Sequence, residues 1–197
     1  KTFEKVAVVL NTGGILDMKW VEEYQPGAVL YVWQGGQEGG LGTADVLVGK
    51  ACPSGKLSDT IPVDIADCPA AGNFGSERRN VYAEDIYVGY RYFETFATDR
   101  VLYPFGFGLS YTQFEVKPQP VRFDKLFTLS AQVANTGSVP GKEVVQVYCA
   151  PPQGKLGKPA RVLCAFAKTP ELAPGEKTTL SFTFPVDLLA SYDDSGA

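Results

Sequence analysis

The feature that most constrains this chain is a change in hydrophobic period between its two ends. Residues 6–10 and 28–33 are short apolar runs rich in β-branched residues, and each is followed by glycines and then a helical stretch, at about residues 16–23 and 41–48. Apolar runs of this kind form strands that are buried on both faces. A strand–helix–strand–helix unit folds into a parallel sheet with right-handed crossovers. The first 62 residues therefore predict an α/β layer.

Beyond about residue 113 the apolar residues alternate with polar ones instead. The alternating runs are residues 127–133, 144–148 and 179–184, and the turn sequences between them are at 135–137 and 173–176. Short alternating strands at this spacing are typical of an antiparallel β-sandwich.

The chain is therefore predicted to have three segments. Residues 1–70 form the α/β layer, and residues 113–197 form the β-sandwich. Between them, residues 71–112 are an extended segment rich in aromatics and glycine, of a kind that is functional or wraps another surface. A seven-stranded sandwich needs one strand more than the last segment supplies, so we expect that domain to be truncated at its C-terminus.

Composition excludes several kinds of function. The net charge is −4, and no apolar run approaches about 20 residues, so neither nucleic acid nor a membrane is an expected partner. The chain has no histidine, which removes Ser-His-Asp catalysis and histidine metal sites. The four cysteines lack metal-ligand spacing and are interpreted as small buried apolar residues. A disulfide between Cys149 and Cys164 on neighbouring strands is the alternative. Carboxylates must carry any catalysis.

Five short motifs follow one another along residues 6–112. They are VVLNTG (8–13), WQGGQEGG (33–40), ADVLVG followed by PSGKL (44–57), IYVGYRYF (86–93) and YPFGFGLSYT (103–112). In this order and spacing they resemble glycoside hydrolase family 3, of the β-glucosidase type. The resemblance implies an α/β fold class: part of a mostly parallel α/β sandwich, followed by an all-β sandwich of the fibronectin-III or immunoglobulin type. WQGGQEGG and YAEDIYVGYRYFETF most resemble the anaerobic gut-bacterial branch, in part of which the barrel domain follows the sandwich domain.

The resemblance also implies a function. A retaining β-glucosidase, or a β-xylosidase, hydrolyses terminal β-linked sugars with two carboxyl groups about 5 Å apart, and it needs no cofactor. In the family, the nucleophile is an aspartate of a TIM-like barrel and the acid/base is a glutamate just before the VVLNTG strand. We expect both to lie outside this chain, which is then inactive alone. The implied partners are a β-linked oligosaccharide or aryl glucoside substrate and the barrel domain of the same enzyme, with a homodimer as a further option.

This chain can still supply part of the rim of the active site. Ligands of open α/β sheets bind beyond the carboxyl ends of the strands, which makes rim candidates of four residues: Asn11, Trp33, Gln37 and Glu38. Glu38 is either a carboxylate near the substrate or a helix N-terminal acid held by free backbone N–H groups, and the second interpretation is favoured. Trp33 either stacks on a sugar or packs within the protein, and packing is favoured. No metal ligands are predicted.

Two other functions compete with that of an enzyme part. A non-catalytic carbohydrate-binding or structural module would present an exposed row of aromatics on the sandwich. The sandwich aromatics are instead predicted at core positions: Tyr148, Phe166, Phe182 and Phe184. A nucleotide binder would use the glycines of residues 35–40, but that loop lacks the Lys-Ser/Thr of a P-loop.

Three further expectations can be tested against a structure. An enzyme part should leave an apolar face uncovered around residues 11–14 and 33–40. Glu84 and Asp85 precede a predicted aromatic strand, where adjacent side chains point to opposite faces, so they are a poor catalytic pair. Arg91 is predicted to be structural, through stacking or ion pairing.

The lack of a disulfide framework favours a cytoplasmic location in a bacterium.

Overall fold

The computed structural model describes residues 2–193. In this part of the chain the elements are β1 (Ala7–Leu10), α1 (Lys19–Tyr24), β2 (Ala28–Tyr31), α2 (Gly39–Leu47), β3 (Ile61–Pro62), α3 (Tyr90–Phe96), β4 (Val101–Tyr103), β5 (Phe114–Pro118), β6 (Arg122–Phe123), β7 (Leu126–Asn135), β8 (Val144–Cys149), β9 (Val162–Lys168) and β10 (Lys177–Pro185). The first seven elements form the α/β part and the rest form the β-sandwich.

The predicted parallel pairing of the first two strands is confirmed. β1 and β2 run side by side in parallel, with Leu10 opposite Tyr31. The two helices that follow these strands begin within two or three residues of their predicted starts. α1 begins at Lys19 rather than at about residue 16, where the backbone N–H of Lys19 donates to Asp17 Oδ1 at 3.0 Å. A short acidic side chain at this position satisfies one of the free donors of a helix start.

The prediction that these strands are buried on both faces is wrong for the chain by itself. Residues along β1 alternate between exposed and half-buried, and Val9 is 40% exposed. In the described residues the sheet has only these two strands. Parallel strands are covered on both faces only when the sheet has more strands and a helical layer on each side.

The segment between the two parts begins and ends in two strands that pair with each other. β3 and β4 pair antiparallel, with Ile61 opposite Tyr103, so residues 63–100 leave and return at the same place. Ile61 of β3 and Phe93 of α3 are buried, at 1% and 2% exposure. The part of the segment between them is open: Phe74 is 91% exposed and Tyr82 is 84% exposed.

The aromatic strand predicted to follow Glu84 and Asp85 is wrong, because a turn there leads into α3. Gly89 has a φ of 59°, which interrupts the extended chain. Tyr92 then contacts Phe96 one helical turn later, with 5.7 Å between ring centroids, and such pairs favour a helix. Glu84 and Asp85 therefore do not lie on opposite faces of a strand, because Asp85 lies in a turn with a φ of 50°.

The β-sandwich is formed by two sheets. β7 lies between β10 and β5, with β6 paired to one end of it, and β8 pairs with β9 in the second sheet. All these pairs are antiparallel, as the alternation predicted. The core between the sheets is contributed by both of them: Ala131, Val133, Val145, Leu172 and Phe182.

The sandwich aromatics divide between core and surface. Phe182 and Phe184 are 4% and 9% exposed, which confirms their predicted core positions. The prediction for Phe166 is wrong, since its side chain is 68% exposed. Its neighbours Ala165 and Ala167 pack on the core instead, and successive residues of a strand point to opposite faces.

Candidate functional site

The two loops that follow β1 and β2 lie together at one edge of the α/β part. The backbone N–H of Val32 donates to the carbonyl oxygen of Leu10 at 2.9 Å. The hydroxyl of Tyr31 donates to the carbonyl oxygen of Gly14 at 2.5 Å. The side chain of Gln34 packs against Gly13, because a Cβ added at Gly13 would come within 2.8 Å of Gln34 Nε2. The expectation that the carboxyl ends of the two strands are neighbours is confirmed.

Trp33 stands at the turn out of β2. Its backbone has a φ of 51°, a left-handed conformation that bulky residues rarely adopt. The indole is half-buried and packs on Tyr31, with ring centroids 4.5 Å apart at an angle of 45°. One packing partner of the indole therefore lies within this chain.

The glycine loop before α2 is folded tightly on itself. A Cβ at Gly35 would meet Gly39 Cα at 2.7 Å, and Gly36 has a φ of 65°. Glycines, which lack a Cβ, let the backbone approach a neighbouring surface closely. At Gly35 the close approach is to the same loop, which holds the start of α2 beside β2.

The polar rim candidates are exposed at this edge. Glu38 is the residue that precedes α2, and its side chain makes no capping hydrogen bond to the helix. Gln37 and Asn11 are exposed as well. Glu38 does stand at the start of a helix, as predicted. The prediction that backbone N–H groups hold its carboxylate is wrong. The side chain is directed to solvent and is free to meet a ligand or another domain.

Two carboxylates beside the start of α1, those of Asp17 and Asp64, serve an ion pair. Lys19 Nζ lies 2.5 Å from Asp64 Oδ2 and 3.5 Å from Asp17 Oδ2. The hydrogen bond from Lys19 lowers the pKa of Asp64, with help from the N–H of Ala66. A general acid of a glycosidase needs a pKa shifted in the opposite direction. Asp64 is therefore a structural carboxylate that joins α1 to the turn after β3.

Within residues 2–193 no group of three or more acidic, cysteine or histidine side chains is placed to hold a metal ion. No helix in the described range is long and apolar enough to cross a membrane. An open cavity of about 420 Å³ lies away from the loops, between α3 and the turn after β3, and its lining includes Asp67, Cys68, Tyr92, Phe96 and Arg100.

A joint between α3 and the β-sandwich was not predicted from the sequence. Arg161 pairs through two nitrogens with the carboxylate of Glu94, and its guanidinium lies over the ring of Tyr148, 4.8 Å from the centroid. The N–H of Leu163 donates to the hydroxyl of Tyr90 at 2.8 Å. These partners are separated by up to 73 positions in the sequence, so no local pattern could have paired them.

A second joint between the α/β part and the β-sandwich is an ion pair. Lys56 Nζ is 2.8 Å from Glu143 Oε1, and both side chains are 16% exposed. The same ammonium donates to the carbonyl oxygen of Gly108 at 3.0 Å. Together the two joints hold the α/β part and the sandwich as a unit, with the loop edge left open.

This pairing of an α/β part with a β-sandwich is that of the C-terminal region of a class of glycoside hydrolases. The model of the glycosyl hydrolase family 3 C-terminal domain matches residues 1–111, and that of the fibronectin type III-like domain matches residues 143–197. The chain belongs to glycosyl hydrolase family 3, as the five motifs indicated.

Relatives with known names are β-glucosidases. The chain is 55% identical over 194 residues to a β-glucosidase of Ruminococcus albus, covering 98% of this chain and 20% of the relative. It is 46% identical to β-glucosidase A of Butyrivibrio fibrisolvens, of which it covers 26%. The chain thus spans about a fifth to a quarter of the length of these relatives.

Solved structures agree over nearly the whole chain. A β-glucosidase of Paenibacillus barengoltzii superposes with a TM-score of 0.93 at 52% identity, over 98% of this chain and 22% of that one. β-Glucosidase 3B of Thermotoga neapolitana in complex with glucose gives 0.89 at 44% identity, over 96% of this chain and 27% of that one.

Proposed function

We propose that this chain is the non-barrel part of a retaining, exo-acting β-glucosidase. It supplies part of the α/β layer, the bracing β-sandwich and part of the active-site rim. The observation that carries the proposal is the superposition of 98% of the chain on a β-glucosidase of which it covers only 22%. The substrate class that follows is a terminal β-linked sugar, as a β-linked oligosaccharide or an aryl glucoside.

The uncovered apolar surface supports a missing partner domain. Val9 of β1 is 40% exposed, and on and just after α2 Leu41, Leu47 and Val48 are 66%, 49% and 75% exposed. The expected surface therefore lies on β1 and α2, next to the loops at 11–14 and 33–40 rather than within them. A two-stranded parallel sheet needs further strands and a layer over each face. We infer that the rest of the same enzyme, including its barrel, supplies them.

The carboxylates of this chain indicate which part of the enzyme holds the catalytic groups. A retaining mechanism needs a nucleophile and an acid/base about 5 Å apart. Glu38, the carboxylate at the loop edge, is exposed and has no capping hydrogen bond. We therefore assign the aspartate nucleophile and the glutamate acid/base to the remainder of the enzyme. Asn11, Trp33, Gln37 and Glu38 are assigned to the rim, where they contact substrate or the barrel.

A carbohydrate-binding module is less well supported. Such a module needs aromatic rings side by side on one surface. The exposed rings of the sandwich strands are Phe123 on β6 and Phe166 on β9, which belong to different sheets. Phe123 also packs on Phe127, with ring centroids 4.6 Å apart. The structure thus offers no aromatic row within the described part of the sandwich.

A chimeric enzyme tests the proposal. The matching 194-residue region of the Ruminococcus albus relative is replaced by this chain, and hydrolysis of p-nitrophenyl β-glucoside and β-xyloside is measured for the chimera and for the chain alone. We expect no hydrolysis by the chain alone and hydrolysis by the chimera within about tenfold of the parent. Hydrolysis by the purified chain alone, or a chimera that keeps the melting temperature of the parent but is inactive on both substrates, contradicts the proposal.

Rim variants in the chimera separate a rim role from a catalytic one. Trp33→Ala and Glu38→Gln are compared with Glu22→Gln, an exposed glutamate on α1. A rim residue changes KM by severalfold and leaves kcat within about threefold, whereas loss of a general acid–base group lowers kcat by about 10²–10⁴-fold. The second result for Glu38→Gln would place a catalytic carboxylate inside this chain and refute the assignment.

A further inference from the structure

The structure brings Cys149 and Cys164 together at one end of the β8–β9 pair. Cys149 is opposite Val162, but the register shifts between Val147 and Tyr148, so Cys164 is an extra residue of β9. The Cys164 thiol donates to the carbonyl oxygen of Val162, the residue opposite Cys149, at 3.4 Å. The bulge thus brings the Cys164 thiol to the cross-strand neighbour of Cys149 and places the two cysteines beside each other at this end of the strand pair.

Both thiols are free and within reach of solvent. Each cysteine is half-buried, neither sealed in the core nor fully exposed. Burial raises the pKa of the Cys164 thiol, and the neighbouring Cys149 adds to the effect. Because the thiolate is the reactive form, we expect the pair to react faster as the pH rises above neutrality.

We propose that Cys149 and Cys164 are a reversible disulfide site that is oxidised by small disulfides such as oxidised glutathione. One protein thiolate attacks a sulfur of oxidised glutathione, the S–S bond breaks, and a glutathione thiolate leaves. The second cysteine loses its proton to solvent and attacks the protein sulfur of the mixed disulfide, which releases the second glutathione. The protein gives up two protons and two electrons, and one oxidised glutathione becomes two reduced ones.

The bond would close the loop of residues 150–161, the end of which forms the joint to α3. Arg161 pairs with Glu94, and the N–H of Ala160 donates to Thr95 Oγ1 at 2.9 Å. Cys164 lies in β9, three positions after Arg161, which immediately precedes that strand. Oxidation therefore constrains the loop beside the contacts that hold the two parts together.

The test is oxidation of the folded chain with oxidised glutathione at pH 8, followed by thiol titration, intact mass and peptide mapping. We expect the free thiols to fall from four to two, with a mass loss of two hydrogens. Trypsin cuts after Lys155 and Arg161, so non-reducing mapping should yield a Cys149 peptide joined to a Cys164 peptide, and dithiothreitol should release both. Cleavage after Lys155 should slow by at least about threefold in the oxidised chain.

Variants distinguish this site from general thiol oxidation. Cys149→Ser and Cys164→Ser should each retain a glutathionyl group instead of losing two hydrogens. Cys52→Ser and Cys68→Ser are the matched controls and should oxidise like the unmodified chain. A stable glutathione adduct on the unmodified chain, or a cross-linked peptide that contains Cys52 or Cys68 instead, would overturn the proposal.

Discussion

The side chain of Asn135 is a buried polar hub, and its removal is the sharpest test of how the sandwich is held. The residue is 1% exposed at the end of β7. Its Nδ2 donates to the carbonyl oxygens of Val139 and Leu172, both at 2.8 Å. Its Oδ1 accepts from Thr112 Oγ1 at 2.7 Å and from the N–H of Gly137 at 3.0 Å. Four hydrogen bonds thus converge on one amide.

The expected cost of Asn135→Ala follows from these bonds. A net hydrogen bond contributes about 1 kcal/mol, and leaving a buried partner unsatisfied costs about 1–3 kcal/mol. Leu172 keeps one bond, because its carbonyl oxygen also accepts from the N–H of Gly141 at 3.1 Å. We therefore expect the free energy of unfolding to fall by about 3–4 kcal/mol, which is more than a hundredfold in the unfolding equilibrium.

The measurement is urea unfolding of the chain followed by far-ultraviolet circular dichroism, since both tryptophans lie in the α/β part. Gln132→Ala removes an exposed amide from the same strand and should change the free energy of unfolding by less than about 0.5 kcal/mol. If Asn135→Ala costs less than about 1 kcal/mol, or no more than Gln132→Ala, then the hydrogen-bond network does not stabilise the sandwich and the reasoning is refuted.

Asn135→Asp adds a pH dependence whose sign can be stated. Burial against two carbonyl oxygens should raise the folded-state pKa of the new carboxyl above its unfolded value of about 3.9. The variant should then be closest to the unmodified chain below about pH 4 and lose stability as the pH rises through the raised pKa. A deficit that is the same at pH 4 and pH 8 would contradict this expectation.

Two further predictions concern the domain joint and the glycine loop. Lys56→Met removes the ion-pair partner of Glu143 at a site with 16% exposure and should lower the free energy of unfolding in urea by about 2 kcal/mol. Adding Glu143→Leu should recover at least half of that loss, because the unpaired charge is then gone. A double variant as unstable as the sum of the two single variants would contradict this. Gly35→Ala forces a Cβ to within 2.7 Å of backbone and should cost about 1–3 kcal/mol. Gly40→Ala, with open space around its Cβ, should stabilise α2 by about 0.5–1 kcal/mol, and equal effects of the two substitutions would refute the close approach at Gly35.

Local chemistry in the sequence determined most of the elements. The β-branched runs before glycines predicted β1 and β2, because apolar β-branched residues favour extended chain that is packed on both sides. The alternation of apolar with polar residues predicted β7, β8 and β10, because that pattern favours an extended chain that is packed on one face only. The prediction of an aromatic strand after Glu84 and Asp85 failed because two conformational preferences compete there. Aromatic residues favour strands, but a positive φ at Gly89 and contacts one turn apart favour a helix.

Contacts between distant residues were decided only by the tertiary structure. The sequence at 135–137 predicted a turn, but only the fold shows Asn135 as a hub that binds Thr112 and Leu172, 23 and 37 positions away. Likewise, motif order identified the family, whereas the pairing of Arg161 with Glu94 depends on where α3 and β9 come to lie. Short-range periodicity records the preference of each segment for helix or strand. Which side chains then meet depends on packing that brings segments together across many residues, and no local pattern encodes that.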